Sequence, residues 1–232
     1  MRKQLPLLIA MACIPLVSAC EKPGAWGDVN ALIIGSQPEV WAALEESVES
    51  ALEPRVYTVR DEKTFRVTHV DPASGDWGNL SRFVQVVVIG SQDETFIQEA
   101  LERRRGEEPL SPPQILQVHD VWARGQQVTV LLVEPGEWDQ ALELLDPLQS
   151  ILDEQYRQWA RNRMFLSGAD TALQRGLMAE AGFSLLLPDV YQWEARDSVY
   201  PFRNDNPDPS ELIREVVVTW RSPIPEIPGR EF

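Results

Sequence analysis

Two short stretches place a serine three residues ahead of a glutamate: Gly35-Ser36-Gln37-Pro38-Glu39 and Gly90-Ser91-Gln92-Asp93-Glu94. Residues of these types serve three chemistries. A serine beside a carboxylate makes a nucleophile and its base, a glycine-serine corner opening a helix cradles phosphate, and Ser-x-x-Glu caps a helix. A phosphate cradle needs its first-turn N–H groups unoccupied and usually a lysine or further glycines. Here acids follow instead, Glu39 in one copy and Asp93 with Glu94 in the other. The expectation is therefore the capping box: Ser36 and Ser91 accept first-turn N–H groups, and Glu39 and Glu94 reach back to the serine N–H. Pro38 is compatible with a first turn, whose N–H groups lack helical partners. A third corner, LLVEPGEWDQAL, keeps the apolar run and the acid but has no serine. Three related corners read as a structural habit.

The two histidines, His69 and His119, each stand in a strand-like segment near an acid, without metal-ligand spacing. No G-x-S-x-G elbow accompanies them, so neither a zinc site nor a serine triad is indicated. Asn204, Asn206, Asp208 and Glu215 loosely follow a calcium loop, but Pro209 stands where the turn needs glycine. A turn between strands explains the same residues. With 36 Asp and Glu in the chain, no carboxylate pair stands out for glycoside chemistry. Catalytic residues are accordingly unassigned and no metal is expected. Among eight tryptophans, Trp26 and Trp77 fall in Gly- and Asp-containing loops. Each either folds back on its own domain or contacts a partner, a glycan or a lipid interface. Trp41, Trp122, Trp138, Trp159, Trp193 and Trp220 lie at periodic positions and read as core.

The chain begins MRKQLPLLIAMACIPLVSAC. Arg2 and Lys3, an apolar run too short to span a bilayer, and small residues before a cysteine read as a lipoprotein signal over 1–19. Val17-Ser18-Ala19 form the cleavage site and Cys20 takes the lipid: a thioether-linked diacylglycerol and an acylated amine. Several acyl chains give stable anchoring where one is marginal. Cys13 leaves with the signal, so the body has no thiol, and disulfides and zinc–thiolate sites are excluded. No other cofactor is expected. Net charge is −15, and removal of Arg2 and Lys3 makes the mature chain more acidic by two charges. Nucleic acid is disfavoured as a partner, and so is broad docking on anionic lipid.

Residues 20–28 (CEKPGAWGD) read as a lipidated tether, 29–222 as the globular region with a possible sub-boundary near 106–113, and 223–232 as a Pro-rich tail. Apolar runs at 31–34 and 83–89 each precede a helical pattern, over 38–53 and 94–105. Alternation at 55–60 and 65–70 reads as half-buried strands, 71–79 as a loop, and 114–121 with 127–133 as a hairpin around Arg124-Gly125. A helical region from Glu137 is interrupted at Pro147 and again near Gly168, then resumes to Ala181. Strands follow at 183–187, 190–194 and 213–221. The pattern predicts an α+β fold, mostly antiparallel sheets with helices packed on one face, and a weak internal strand–helix repeat.

The chain resembles an uncharacterised bacterial lipoprotein family, domain of unknown function 4837. Cys20-Glu21-Lys22-Pro23, the helix start around Trp41, Asp120-Val121-Trp122-Ala123 with Gln126-Gln127-Val128, Phe183 to Pro188 and Ile213 to Val218 carry the likeness. The resemblance implies an anchored, periplasm-facing envelope protein at the inner or outer membrane, with no established activity. Family members continue past the strand near Trp220, which implies a chain that is shortened or lacks a second module. Two functions follow: a non-catalytic module that binds an envelope protein or supports an assembly, and a carboxylate-dependent hydrolase of glycan or peptide.

Overall fold

Ala31 to Gly35 and Gln85 to Gly90 are apolar on both sides of the strand, so both faces of a sheet built on them need covering. The computed structural model describes residues 22–57, 59–106, 108–205 and 214–220. Val17-Ser18-Ala19-Cys20 and the signal before it, Asn206 and Asp208, and the tail 223–232 lie outside the described residues. The chain divides into two units, Met1–Ile151 and Leu152–Phe232. The expected sub-boundary at 106–113 instead leads from a helix back into the same sheet.

The first unit runs β1 (Ala31–Gly35), α1 (Pro38–Leu52), β2 (Arg55–Tyr57), β3 (Asp61–Lys63), β4 (Arg66–Val70), α2 (Trp77–Leu80), β5 (Gln85–Gly90), α3 (Thr95–Leu101), β6 (Gln114–His119), β7 (Gln127–Leu132), α4 (Gln140–Glu143) and the start of α5 (Leu145–Met164). The five-stranded sheet has the order β4-β1-β5-β7-β6. β1 pairs in parallel with β4 (Ile34↔His69) and β5 (Ile34↔Val87), β5 in parallel with β7, and only the edge strand β6 runs antiparallel. β2 and β3 form a separate exposed hairpin.

Side chains alternate across the sheet. Ile33, Val86, Val88, Val128, Val130 and Leu132 meet Phe96, Ile97 and Ala100 of α3 and Trp77 of α2. His69 points the other way from Val70 and stacks on Trp41 of α1, ring centroids 4.6 Å apart. Val40, Leu44, Val48 and Leu52, one stripe of α1, are buried, and α4 packs on the same helix. α1 and α3 thus cover opposite faces of the sheet. That is what right-handed crossovers dictate when β1 leads to β4 on one side and β5 to β7 on the other.

The fold is α+β: a parallel-rich sheet with helices and two smaller antiparallel sheets. Among the described residues, antiparallel ladders occur in those sheets and at β6–β7. Continuous apolar runs such as QVVVI, buried at every position, belong to strands covered on both faces.

Residues 22–28 are no free tether. Ala25 N donates to the Arg124 carbonyl (2.9 Å), Arg124 N to Pro23 (2.8 Å), Trp26 N to Arg82 (3.2 Å) and Val84 N to Trp26 (2.9 Å). The segment threads between the residues that precede β5 and β7, and Trp26 lies on Phe83 at 4.1 Å.

The second unit holds the rest of α5, then α6 (Thr171–Ala181), β8 (Gln192–Trp193), β9 (Val199–Asn204) and β10 (Arg214–Thr219), in an antiparallel sheet ordered β10-β9-β8. Asp170 caps α6 by accepting from Leu173 N (2.8 Å), and Gly182 ends it at φ +74°. Its core joins Leu173, Leu177, Leu187 and Phe202. Pro147 does not break α5, because it stands in the first turn where no N–H is needed. Residues 183–187 are not a strand. The strand is β9, in which Pro201 is tolerated because β8 pairs only with Phe202 and Arg203. Trp159, Trp193 and Trp220, expected in the core, are each at least 40% exposed. Trp159 holds Arg163 over its ring at 5.7 Å, and Trp220 stacks on Tyr200 at 5.5 Å.

Buried Gln126, at 1% exposure, ties the first unit together. Its amide nitrogen donates to the carbonyls of Ser81 and Phe83, and its oxygen accepts from Trp122 N. Gln126→Ala leaves those three backbone groups unpaired and should cost about 3 kcal/mol, read as a shift of the urea midpoint.

Candidate functional site

In a parallel sheet, the loops leaving two neighbouring strands toward opposite faces open a crevice beyond the strands' carboxyl ends. β1 and β5 are such neighbours. The loops after β1, β4 and β5 surround a cavity of about 500 Å³ lined by Gln37, Asp71, Trp77, Asp93, Glu94, Phe96 and Glu99. Both serine-glutamate stretches therefore lie at this one crevice.

The glycine of each copy has a steric reason. A Cβ at Gly35 would come within 2.7 Å of the Trp77 ring, and one at Gly90 would overlap the Glu94 carboxylate. The first lets an indole lie across the end of β1, and the second lets Glu94 fold under the end of β5. Trp77 meets Trp122 edge-on at 4.9 Å and Phe96 at 6.2 Å, which makes an aromatic wall.

The expected capping boxes take a different form. The N-cap of α1 is Gln37, with no side-chain cap. Ser36 is fully buried at the end of β1, and Glu39 makes no return bond to it. The Ser36 Oγ instead lies 3.2 Å from His69 Nε2, which is also 3.1 Å from the Ser36 carbonyl oxygen. In the second copy the N-cap of α3 is Glu94, again without a side-chain cap. The expected return bond is present, with Ser91 N donating to the Glu94 carboxylate (3.1 Å), but Ser91 Oγ donates to Asp93 and accepts no first-turn N–H. In both copies the serine directly follows the last strand residue and the N-cap falls later, at Gln37 or Glu94, so the helix starts later than the capping pattern requires.

The Ser36–His69 contact brings together a hydroxyl and an imidazole that sequence spacing left apart. It is not arranged for nucleophilic attack. A carbonyl only accepts, so the 3.1 Å contact places the hydrogen on Nε2, and that nitrogen donates rather than abstracts. His119 lies on β6, the opposite edge strand from β4, so the two imidazoles do not meet. Among the described residues no group of three or more His, Cys, Asp or Glu is placed to hold a metal ion.

The four crevice carboxylates are each fixed by a donor of the protein. Asp71 accepts from Ala73 N (2.8 Å), Asp93 from Ser91 Oγ, Glu94 from Ser91 N, and Glu99 from Trp122 Nε1 (2.7 Å). The neighbours Asp93 and Glu94 titrate in opposite directions. The Ser91 hydroxyl holds Asp93 below the usual carboxylate range, whereas burial, helped by the Asp93 charge, pushes Glu94 up. Of the two loop tryptophans, Trp77 lines the crevice and Trp26 lies 44% exposed on Phe83, near the start of β5. Sequence reasoning had no signal for Asp71 or Glu99 and read Asp93 only as an acid at a helix start; the parallel pairing of β4, β1 and β5 is what brings Asp71 to the other two.

A raised acid binds more protons folded than unfolded, so its contribution to stability falls as pH rises from the ordinary glutamate value of 4.5 through the folded value. Asp93 acts with the opposite sign and below its ordinary value of 3.8. Urea midpoints of wild type and Glu94→Gln, measured from acid to neutral pH, should diverge above 4.5 in favour of the variant. A constant difference across that window contradicts the assignment. Comparison of the chain with protein-family models, with curated proteins and with solved structures gives no match.

Proposed function

We propose that the chain is a lipid-anchored protein of the bacterial cell envelope that binds a partner through the crevice at the ends of β1, β4 and β5. One observation carries the reading: four carboxylates, each held by a donor of the protein itself, stand beside the Trp77 wall in a single cavity. Groups held this way lose little freedom when a ligand arrives, and carboxylates beside an indole suit a cationic group such as an ammonium or guanidinium. The signal at 1–19, the lipobox Val17-Ser18-Ala19-Cys20 and the family resemblance support the anchored location. The lipid at Cys20 is then the membrane contact, and an envelope protein is the partner.

A carboxylate-dependent hydrolase of glycan or peptide is the second reading. The opposite shifts of Asp93 and Glu94 favour it, since such a pair supplies an ionised base and a protonated acid. The inward bonds of both carboxylates weigh for binding instead.

Cys20→Ser should move the protein from the membrane pellet to the soluble fraction. A photo-crosslinker placed at Thr95, on the crevice rim, should give one discrete adduct in membranes that is lost in Trp77→Ala. The same crosslinker at Glu49, on the outer side of α1, should give none. Identical adduct patterns from both positions contradict the binding reading. Turnover of envelope glycan or peptide that is abolished in Glu94→Gln establishes the hydrolase in its place.

A further inference from the structure

The chain is strongly acidic, yet cations gather at one end of the first unit. Lys22 donates from Nζ to the carbonyls of Asp120 (2.7 Å) and Val121 (2.6 Å). Burial, and after it the nearby Arg103 guanidinium, hold its pKa below the ordinary lysine range. Arg103, Arg104 and Arg105 line a hollow of about 520 Å³ together with His119 and Asp120. Arg82 and Arg124 flank the docked segment, each bonded through its backbone to residues 23–26. The carboxylates among these cations, within the described residues, are Glu102, Glu108 and Asp120. Trp26, 44% exposed, belongs to the same segment.

This end is opposite the crevice. Arg82 and Arg124 precede β5 and β7, whereas the crevice lies beyond the carboxyl ends of β1, β4 and β5. It is also the end where the lipid would emerge. Lys22 is docked here, and two residues of chain span about 7 Å at most, which bounds how far a lipid on Cys20 can be from Lys22.

We propose that the face formed by Lys22, Trp26, Arg82, Arg103, Arg104 and Arg105 seats the first unit on anionic lipid headgroups. The inference rests on lipidation of Cys20, which brings the face to the bilayer. Five cations next to an acyl anchor supply the second signal that membrane binding commonly uses, and an indole suits the headgroup depth. The rest of the acidic surface is repelled by the same lipid, so the orientation is fixed and the crevice faces away from the membrane.

The test uses the mature lipidated chain, whose body has no cysteine of its own. A fluorophore is attached in Glu102→Cys, at the basic end, or in Ala73→Cys, at the crevice. Each protein is placed in vesicles of phosphatidylcholine alone, or of equal parts phosphatidylcholine and phosphatidylglycerol, carrying a nitroxide-headgroup lipid as quencher. On the anionic vesicles the label at 102 should be quenched several-fold more than the label at 73. High salt, and Arg103→Gln with Arg104→Gln and Arg105→Gln, should reduce that difference. Equal quenching at the two sites, or a difference indifferent to salt and present on neutral vesicles, overturns the proposal. Mass spectra showing an unmodified Cys20 peptide overturn the anchor itself, a separate failure.

Discussion

The parallel pairing of β1 with β5 is the constraint on which the first unit depends. Both strands are buried along nearly their whole length, so helices must cover both faces of the sheet. Because crossovers are right-handed, the chain leaves β1 and β5 in opposite directions, and the space between the departing loops cannot be filled by either. The crevice is a consequence of topology before it is a property of any side chain. Gly35 and Gly90 then decide what occupies its floor, an indole in one case and a carboxylate in the other.

The same pairing separates the ends of the unit by chemistry. Carboxylates cluster where the strands finish, and guanidinium groups where they begin. Fixing each acid on a donor of the protein keeps the crevice group ordered despite like charge, and the price is visible in Glu94, which burial makes harder to ionise. At the other end, the segment from Lys22 to Trp26 is built into the fold by backbone bonds. A segment docked this way has its course set by the fold rather than by linker length.

Much of the element order was legible in the sequence, because apolar periodicity reports burial directly. The runs before Gly35 and Gly90, the stripe Val40, Leu44, Val48 and Leu52, and the hairpin of β6 and β7 are local patterns. Strand direction is not local. The runs at β1 and β5 are compatible with either pairing, and only the crossovers between them select the parallel one. The capping boxes were legible only in part: Glu94 reaches back to the Ser91 N–H as its spacing implies, but neither Ser36 nor Ser91 caps a helix, because each is buried just past a strand end, before the N-cap. The segment 22–28 has a linker's composition, and what docks it is backbone pairing, which composition does not record. The basic end was hidden because net charge averages over the whole surface.

The most direct measurement is the set of interstrand nuclear Overhauser contacts between β1 and β5 in solution. Parallel register predicts contacts joining Leu32 to Gln85 and Ile34 to Val87, with Gly35 beside Val88. Contacts joining Ala31 to Gly90 and Gly35 to Val86 would reverse one strand. That would move Glu94 and Asp93 away from Gln37 and leave no crevice to account for.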